Sequence, residues 1–424
     1  MKKFSLLFLF SLLFWAGKSQ DFSHIALDNR IYTDDIYSVK LCPADKYFGT
    51  PIIKLNSGEQ LRLVFDHLGD YDEYMKYTLI HCSHDWQLSP MNPLEYLDGF
   101  MEDEITDNSY SFNTITGYTH FELLLPNDLL RITKSGNYIL FVYDETPENP
   151  ILTQRFMVVE STTAGIVGTV QQAQDVNYMS THQQVDFLAY TGNYNVRNPS
   201  MLLNATILQH ERWDNAIIGL TFRSANLNEY NFSFDNLNKN IFSGGAEFRT
   251  FDLRTLRTTA DRIVSINFNQ KINQAYVLED IARPYAPYQS DNTISGRCFW
   301  LNDDFEGKNT EDYVLTHFSL RCDFPVSNGD LYVFGELTNW KIMPEAKLKY
   351  NPALNYWETS LLLKQGYYNY QYVFVPYGEN KIDETYIEGS HWQTLNEYTI
   401  LLYLKEEGTS YDKLIGTSSI KIEK

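Results

Sequence analysis

Basic residues are scarce in this chain relative to acidic ones. The 424 residues include 34 lysines and arginines against 54 aspartates and glutamates, a formal net charge of −20 at pH 7. This balance repels nucleic acid phosphates and anionic membrane surfaces, so both classes of partner are excluded. Acidity often serves solvation alone. If it instead forms a docking face for another protein, the densest local concentration is the candidate: Glu102, Asp103, Glu104 and Asp107.

Long apolar runs are also lacking, with one exception near the start. A mostly apolar stretch over residues 4–16 follows two lysines and precedes small residues. It is about 13 residues long, short of the roughly 20 that a membrane-spanning helix needs. The pattern predicts a secretory signal peptide over residues 1–19, removed before Gln20. We therefore expect an exported protein that is soluble in the periplasm.

Cysteine is rare, with four in the whole chain. An even number in an oxidising compartment permits two disulfides, in any of three connectivities. Membership of the same folding unit favours Cys42 with Cys82 and Cys298 with Cys322. Free, buried thiols are the alternative, and the spacing does not decide between the two.

Motifs that organise catalysis are lacking. The sequence has no Gly-x-Ser-x-Gly elbow, no phosphate-binding glycine loop and no His-Glu-x-x-His helix. Residues 81–85, His-Cys-Ser-His-Asp, include metal-ligand types, but on a strand alternate residues point in opposite directions and the ligands are split. Residues 302–307 begin like a calcium loop, yet Tyr313 stands where the bidentate glutamate belongs. We expect no enzyme, no metal site and no cofactor.

Strand patterning, by contrast, is abundant. Residues 60–66 alternate the apolar Leu61, Leu63 and Phe65 with polar neighbours, and residues 75–81 continue the pattern. No segment shows a long helical apolar period. The chain is therefore predicted to be all-β.

The composition also suggests where domains meet. It becomes small and polar near residues 161–165, and residues 283–288 read as an extended, tyrosine-rich linker. We predict tandem β-sandwich domains of immunoglobulin-like and early-set type. The expected division is a signal peptide at 1–19, an N-terminal sandwich at 20–160, a middle β-rich domain at 161–295 and a C-terminal sandwich at 296–424.

Residues 81–159 carry a dense, ordered set of landmarks. They are Cys82, Asp85-Trp86, Tyr96-Leu97-Asp98-Gly99-Phe100, Ser111-Phe112-Asn113-Thr114, Tyr118-Thr119-His120, Pro126-Asn127, Ser135-Gly136-Asn137-Tyr138 and Arg155-Phe156. This set resembles the plug-protein family of the Bacteroidota type IX secretion system, and Glu247-Phe248-Arg249 and Phe251-Asp252 extend the likeness into the middle third.

The resemblance implies a function. Members of that family occupy the periplasmic mouth of a very large outer-membrane β-barrel, the translocon, and keep it shut. The chain is thus expected to be a noncatalytic periplasmic plug that binds the barrel reversibly and reaches the outer membrane only through protein contacts.

The last third carries a separate resemblance. Residues 331–340, 356–358 and 366–374 look like the early-set sandwich of glycogen-binding modules. This implies an alternative function, a carbohydrate-binding periplasmic or surface protein in which Trp340 stacks on a sugar. Closure of the sandwich edge by Trp340 is the interpretation that we favour.

Overall fold

The computed structural model describes residues 22–69, 75–194, 196–233, 237, 239–268, 271–379 and 381–422. The predicted signal peptide lies outside the described residues. Strands dominate, and the α-helices of the described part are single turns: α1 (Pro93–Tyr96), α2 (Pro199–Leu202) and α3 (Thr385–Glu388). Within these residues no helix is both long and apolar enough to cross a bilayer. The predicted all-β fold is confirmed.

The N-terminal part of the chain forms a sandwich of two sheets. Its strands are β1 (Arg30–Ile31), β2 (Ile36–Pro43), β3 (Ile52–Lys54), β4 (Leu61–Leu68), β5 (Met75–Cys82), β6 (Leu97–Gly99), β7 (Glu102–Ile105), β8 (Asp107–Tyr110), β9 (Tyr118–Leu125), β10 (Leu130–Ile132), β11 (Gly136–Asp144) and β12 (Pro150–Val159). A four-stranded sheet in the order β2-β4-β9-β8 packs over β5, β11 and β12, with β6 and β10 as a separate two-stranded ribbon. The alternation in β4 sends Leu61, Leu63 and Phe65 into the core between the sheets.

The following segment supplies most of a second sandwich. Its strands are β13 (Gly165–Gln172), β14 (His182–Tyr190), β15 (Leu203–Gln209), β16 (Ile217–Leu220), β17 (Ser224–Asn226), β18 (Glu229–Asn231) and β19 (Ile241–Ser243). One sheet runs β13-β14-β18-β17, with β19 also on β14, and faces β15 and β16. Val185, Phe187, Ala205 and Ile207 fill the core between these two layers.

A third sandwich follows. Its strands are β20 (Arg249–Asp252), β21 (Ile263–Asn267), β22 (Asn273–Val277), β23 (Asp280–Ile281), β24 (Cys298–Trp300), β25 (Tyr313–Arg321), β26 (Gly329–Phe334), β27 (Lys349–Asn351), β28 (Tyr356–Lys364) and β29 (Gly366–Pro376). β29 pairs with β20, β24 and β26, and the facing sheet runs β21-β22-β25-β28-β27, with β23 also on β25. Strands before residue 296 therefore belong to this sandwich as well.

The last two strands return to the second sandwich. They are β30 (Glu397–Leu404) and β31 (Lys413–Lys421), and β30 pairs with β15 from Tyr398 to Leu404. The resulting ten-stranded sheet runs β16-β15-β30-β31-β12-β11-β5-β7, with β1 and β3 on β12. It thus joins the second sandwich to the first.

The strand pairing cuts across the predicted boundary at residue 296. β30 is apolar on both faces: Ile400 and Leu402 enter the second sandwich's core, while Leu401 and Tyr403 enter the cluster on the opposite face. A strand with two apolar faces must lie between two cores. The third sandwich is consequently an insertion, and its ends meet where His391 N donates to Gly245 O at 2.8 Å.

Neither disulfide considered from the sequence is present, because all four cysteines are free. Cys42 lies on β2 and Cys82 on β5, strands of different sheets. Cys298 lies on β24, and Cys322 follows β25, which belongs to the facing sheet. Burial raises the pKa of Cys82 to about 12 and that of Cys322 to about 11. The thiols therefore stay protonated and unreactive.

Candidate functional site

The four acidic residues of the predicted docking face lie on two edge strands of the N-terminal sandwich. Glu102, Asp103 and Glu104 are on β7, the last strand of the ten-stranded sheet, and Asp107 is on β8, the last strand of the four-stranded sheet. Glu104 and Asp107 are exposed, whereas Glu102 and Asp103 are half-buried. The structure therefore brings the four residues to one side of the sandwich.

Two of these carboxylates are bound from within by tyrosines. The Tyr143 hydroxyl donates to Glu102 Oε2 at 2.6 Å, and the Tyr77 hydroxyl donates to Asp103 Oδ2 at 3.3 Å. Burial raises the pKa of both tyrosines, and the adjacent carboxylates add to the rise, so the hydroxyls keep their protons. Glu104 and Asp107 are the two members left facing solvent.

Large apolar side chains are exposed on α1 and at the end of the ribbon formed by β6 and β10. Phe100 is 61% exposed, Leu129 48% and Leu94 74%. The ribbon of β6 and β10 brings the first two together, since Phe100 N donates to Leu129 O at 2.8 Å. We call Leu94, Phe100 and Leu129, with the exposed acids Glu104 and Asp128, the Phe100 face.

Gly99 makes the ribbon possible. Its φ of +104° is rarely adopted by other residues, and a Cβ at this position would lie 2.2 Å from Leu129 O. Only glycine lets the two backbones approach this closely and turn Phe100 outward.

The elements that carry the Phe100 face are held in place by local hydrogen bonds. Asn92 and Glu95 form a capping box on α1, which presents Leu94. Arg131 donates from two nitrogens to Asp98 Oδ2, at 2.7 and 3.1 Å, across the ribbon. The exposed apolar groups are therefore preorganised.

The sequence predicted Glu104 as part of an acidic face but did not point to Asp128 or to the apolar members. An isolated glycine such as Gly99 within a strand pattern is a signal of a close backbone approach. Whether Phe100 points inward or outward depends on the pairing of β6 with β10, which is not a local property.

Trp340 is packed at the junction between sandwiches. The Arg212 guanidinium lies 4.4 Å from its ring centroid, and the rings of Phe334 and Phe248 lie edge-on at 5.5 and 5.9 Å. A Cβ on Gly296 would come within 2.3 Å of the indole. Arg212 therefore covers ring surface on which a sugar would have to stack, and closure of the sandwich edge by Trp340 stays a prediction.

The histidines of residues 81–85 go to separate partners. His81 is buried against Ser135 O at 3.1 Å, and burial lowers its pKa to about 4. His84 Nδ1 is 2.9 Å from Asp412, a contact that raises the pKa of His84. Across the described residues, no group of three or more His, Cys, Asp or Glu side chains is arranged to hold a metal ion.

The calcium-like loop has a structural use. Asp304 accepts from Thr255 Oγ1 and from Leu256 N, both at 2.7 Å, and Asn302 Nδ2 donates to Thr310 O at 2.6 Å. The two Asp304 bonds fasten the loop to the segment after β20, and the Asn302 bond closes the loop on itself.

A groove of about 500 Å³ lies on the outer face of the third sandwich. The rings of Tyr276 and His317 stack there with centroids 4.4 Å apart. Tyr356, Glu358 and Lys349 line its other side. The groove thus combines aromatic and hydrogen-bonding groups.

Buried charges join the N-terminal and third sandwiches. Asp66, fully buried on β4, contacts Lys364 Nζ and His120 Nδ1, each at 2.6 Å, and accepts from the Tyr313 hydroxyl at 2.7 Å. Burial alone would raise the pKa of Asp66, but Lys364 and His120 outweigh it and hold the pKa below its usual value. The carboxylate is therefore ionised inside the joint.

Similar joints connect the other pairs of sandwiches. Arg212, after β15, donates to both carboxylate oxygens of Glu384 at 2.7 Å, and these groups link the second sandwich to the third. Lys40 on β2 binds Glu336 at 2.8 Å as a second contact between the first and third. Each sandwich is thus tied to both others, since His84 and Asp412 link the first to the second.

The fold and its joints define a class: an all-β protein built of interlocked two-sheet sandwiches. Residues 36–160 match the family model described as "Type 9 secretion system plug protein 1st domain". The chain belongs to the type IX secretion system plug protein family, and its role lies in that secretion system.

A solved structure extends the likeness over nearly the whole chain. The crystal structure of a hypothetical protein from Parabacteroides merdae ATCC 43184 is 33% identical and superposes with a TM-score of 0.89, covering 94% of this chain and 100% of that one. The serine-rich repeat adhesion glycoprotein Srr1 from Streptococcus agalactiae, at 7% identity and a TM-score of 0.15, is too dissimilar to be informative. No curated protein matches the chain.

Proposed function

We propose that this chain is a noncatalytic periplasmic plug that reversibly seals the outer-membrane translocon barrel of the type IX secretion system. The observation that carries the proposal is the set of buried charged joints between sandwiches, of which Asp66 with Lys364 is the most enclosed. A pore wide enough for folded cargo needs a wide cover that does not bend. Three sandwiches joined in pairs by buried contacts form such a rigid cover. The family match supports the assignment to the type IX secretion system.

The proposed location follows from the N-terminal residues. Residues 1–19 direct export to the periplasm, and the chain then reaches the outer membrane through contacts with the barrel and not through lipid. Reversibility favours an interface of moderate size with polar and aromatic groups, released when a competing partner engages the barrel.

The function is tested by deleting the gene in cells that still make the barrel. The open pore should admit large hydrophilic antibiotics that the outer membrane normally excludes, and re-expression of the chain should restore resistance. Unchanged sensitivity in the deletion strain, with barrel levels verified, would refute sealing.

Carbohydrate binding is the second candidate, and the groove on the third sandwich is the observation that favours it. Tyr276 and His317 offer aromatic surface, while Glu358 and Lys349 offer hydrogen bonds. A glycan array with the full chain tests this function. Binding that is lost in Tyr356→Ala but kept in Trp340→Phe would place a sugar in the groove, and an array without hits would reject this candidate.

A further inference from the structure

We propose that the Phe100 face is the surface with which this chain docks onto the periplasmic rim of the barrel. The inference rests on the proposed function and adds the kind of partner surface: a protein recess that is apolar at its centre and lined by lysine or arginine. Its apolar centre is Phe100 with Leu129, and the exposed Leu94 belongs to α1, the helix directly before β6.

The exposure of these side chains has no use within the folded chain. Phe100 and Leu129 are 61% and 48% exposed on a ribbon whose backbone is fixed by Gly99 and by the Asp98–Arg131 pair. Binding energy at protein interfaces concentrates in a few aromatic or aliphatic anchors. Because the ribbon is already ordered, binding would cost little additional conformational entropy.

The charge around the anchors selects the partner. Residues 92–104 and 127–134 together contain six acidic side chains and two basic ones. Arg131 is paired with Asp98, and Lys76 on the neighbouring strand β5 lies 3.8 Å from Glu102. Glu104 and Asp128 are therefore the acids that select the partner. No ion pair to Glu104 or Asp128 occurs within the described residues. A complementary surface must therefore be basic.

The same charge argues against other occupants. A second copy of this chain would bring like charges together around Phe100, and anionic lipid would be repelled. A basic protein surface with an apolar centre can pack against Phe100 and Leu129 and also pair with the acidic side chains around them.

The experiment measures binding of full-length purified variants to the detergent-solubilised barrel. Phe100→Ala together with Leu129→Ala should weaken the equilibrium binding by about tenfold or more. Glu104→Lys with Asp128→Lys should slow association and reduce the dependence of the rate on salt. Both pairs change exposed groups, so the melting temperature should stay at the wild-type value.

Two exposed residues elsewhere provide matched controls. Leu227 and Tyr285 are 91% and 94% exposed, so Leu227→Ala and Tyr285→Ala remove as much apolar surface and should bind like wild type.

The outcomes separate the two hypotheses. Wild-type affinity in the Phe100 and Leu129 double variant would overturn the docking face and leave the plug function standing. A wild-type chain that does not bind the barrel would overturn both. A dimer of the wild type that the double variant abolishes would make this face a self-contact and also refute the inference.

Discussion

At the scale of single residues, almost fully buried charges lie in the joints between sandwiches. The side chains of Lys364 and Asp66 are 3% and 0% exposed. Such a pair is weak evidence for net stability, yet removing one partner leaves the other charge buried without compensation. The joints therefore make the assembly of the sandwiches sensitive to individual substitutions.

Lys364→Met should destabilise the protein by about 3–5 kcal/mol, because it leaves the Asp66 carboxylate without its cation. Denaturant unfolding of the purified chain measures the loss. The matched control is Lys347→Met, which breaks the more exposed pair with Asp330 and should cost at most about 1 kcal/mol. Equal losses in the two variants would contradict the role assigned to burial.

A second residue-scale prediction concerns acid. Burial alone would raise the pKa of Glu388, but Arg249 and Arg283 outweigh it and lower the pKa to about 2 from the usual 4.5. A lowered carboxyl pKa stabilises the fold above pH 4.5, and that contribution is lost as the pH falls toward 2. Unfolding free energies between pH 5 and pH 2.5 should therefore fall less steeply in Glu388→Gln than in wild type. If the unfolding free energies of the two proteins fell equally with pH, protonation of Glu388 would not contribute to acid unfolding.

At the scale of elements, the β6–β10 ribbon depends on a single glycine. Gly99→Ala places a Cβ against Leu129 O in a left-handed backbone conformation and should cost about 1–3 kcal/mol. Gly117→Ala is the control, because nothing lies within 4 Å of the added Cβ. Thermal unfolding of both variants checks the difference, and an unaffected Gly99→Ala melting temperature would show that the ribbon adapts.

Individual strands could be predicted from the sequence, but their partners could not. The alternation over residues 60–66 and 75–81 corresponds to β4 and β5, because the side-chain period of a half-buried strand is local information. The outward direction of Phe100 depends on β10, which lies about thirty residues further along the chain. Glu104 of the candidate site could therefore be found from composition, whereas Asp128 and the apolar anchors could not.

At the scale of the whole molecule, the insertion of the third sandwich was beyond sequence reasoning. The pairing of β15 with β30 joins Leu203 to Leu404, and the composition around residue 296 carries no sign of it. Composition can mark a linker between two domains. It does not show that two paired strands of one sandwich are separated in the sequence by an inserted domain.

The insertion predicts two opposite outcomes for shortened chains. Deleting residues 246–390 and joining Gly245 to His391 with a short flexible linker should leave the two remaining sandwiches folded, since these residues are already hydrogen-bonded neighbours. A chain that ends at residue 295 lacks β30 and β31 and should not unfold cooperatively. Thermal unfolding followed by circular dichroism compares the two shortened chains. If the 295-residue chain unfolded cooperatively and the deletion variant did not, the third sandwich would not be an insertion in the second.

The position of β31 also governs when the protein can mature. Its Leu414 pairs with Val159 and so closes the seam between the first two sandwiches, although the two strands lie far apart in the sequence. A polypeptide synthesised from its N-terminus therefore exposes the unpaired edge of β12 until β31 has been made. Copies terminated before β31 would keep that edge exposed, and quality-control proteases could recognise and degrade them.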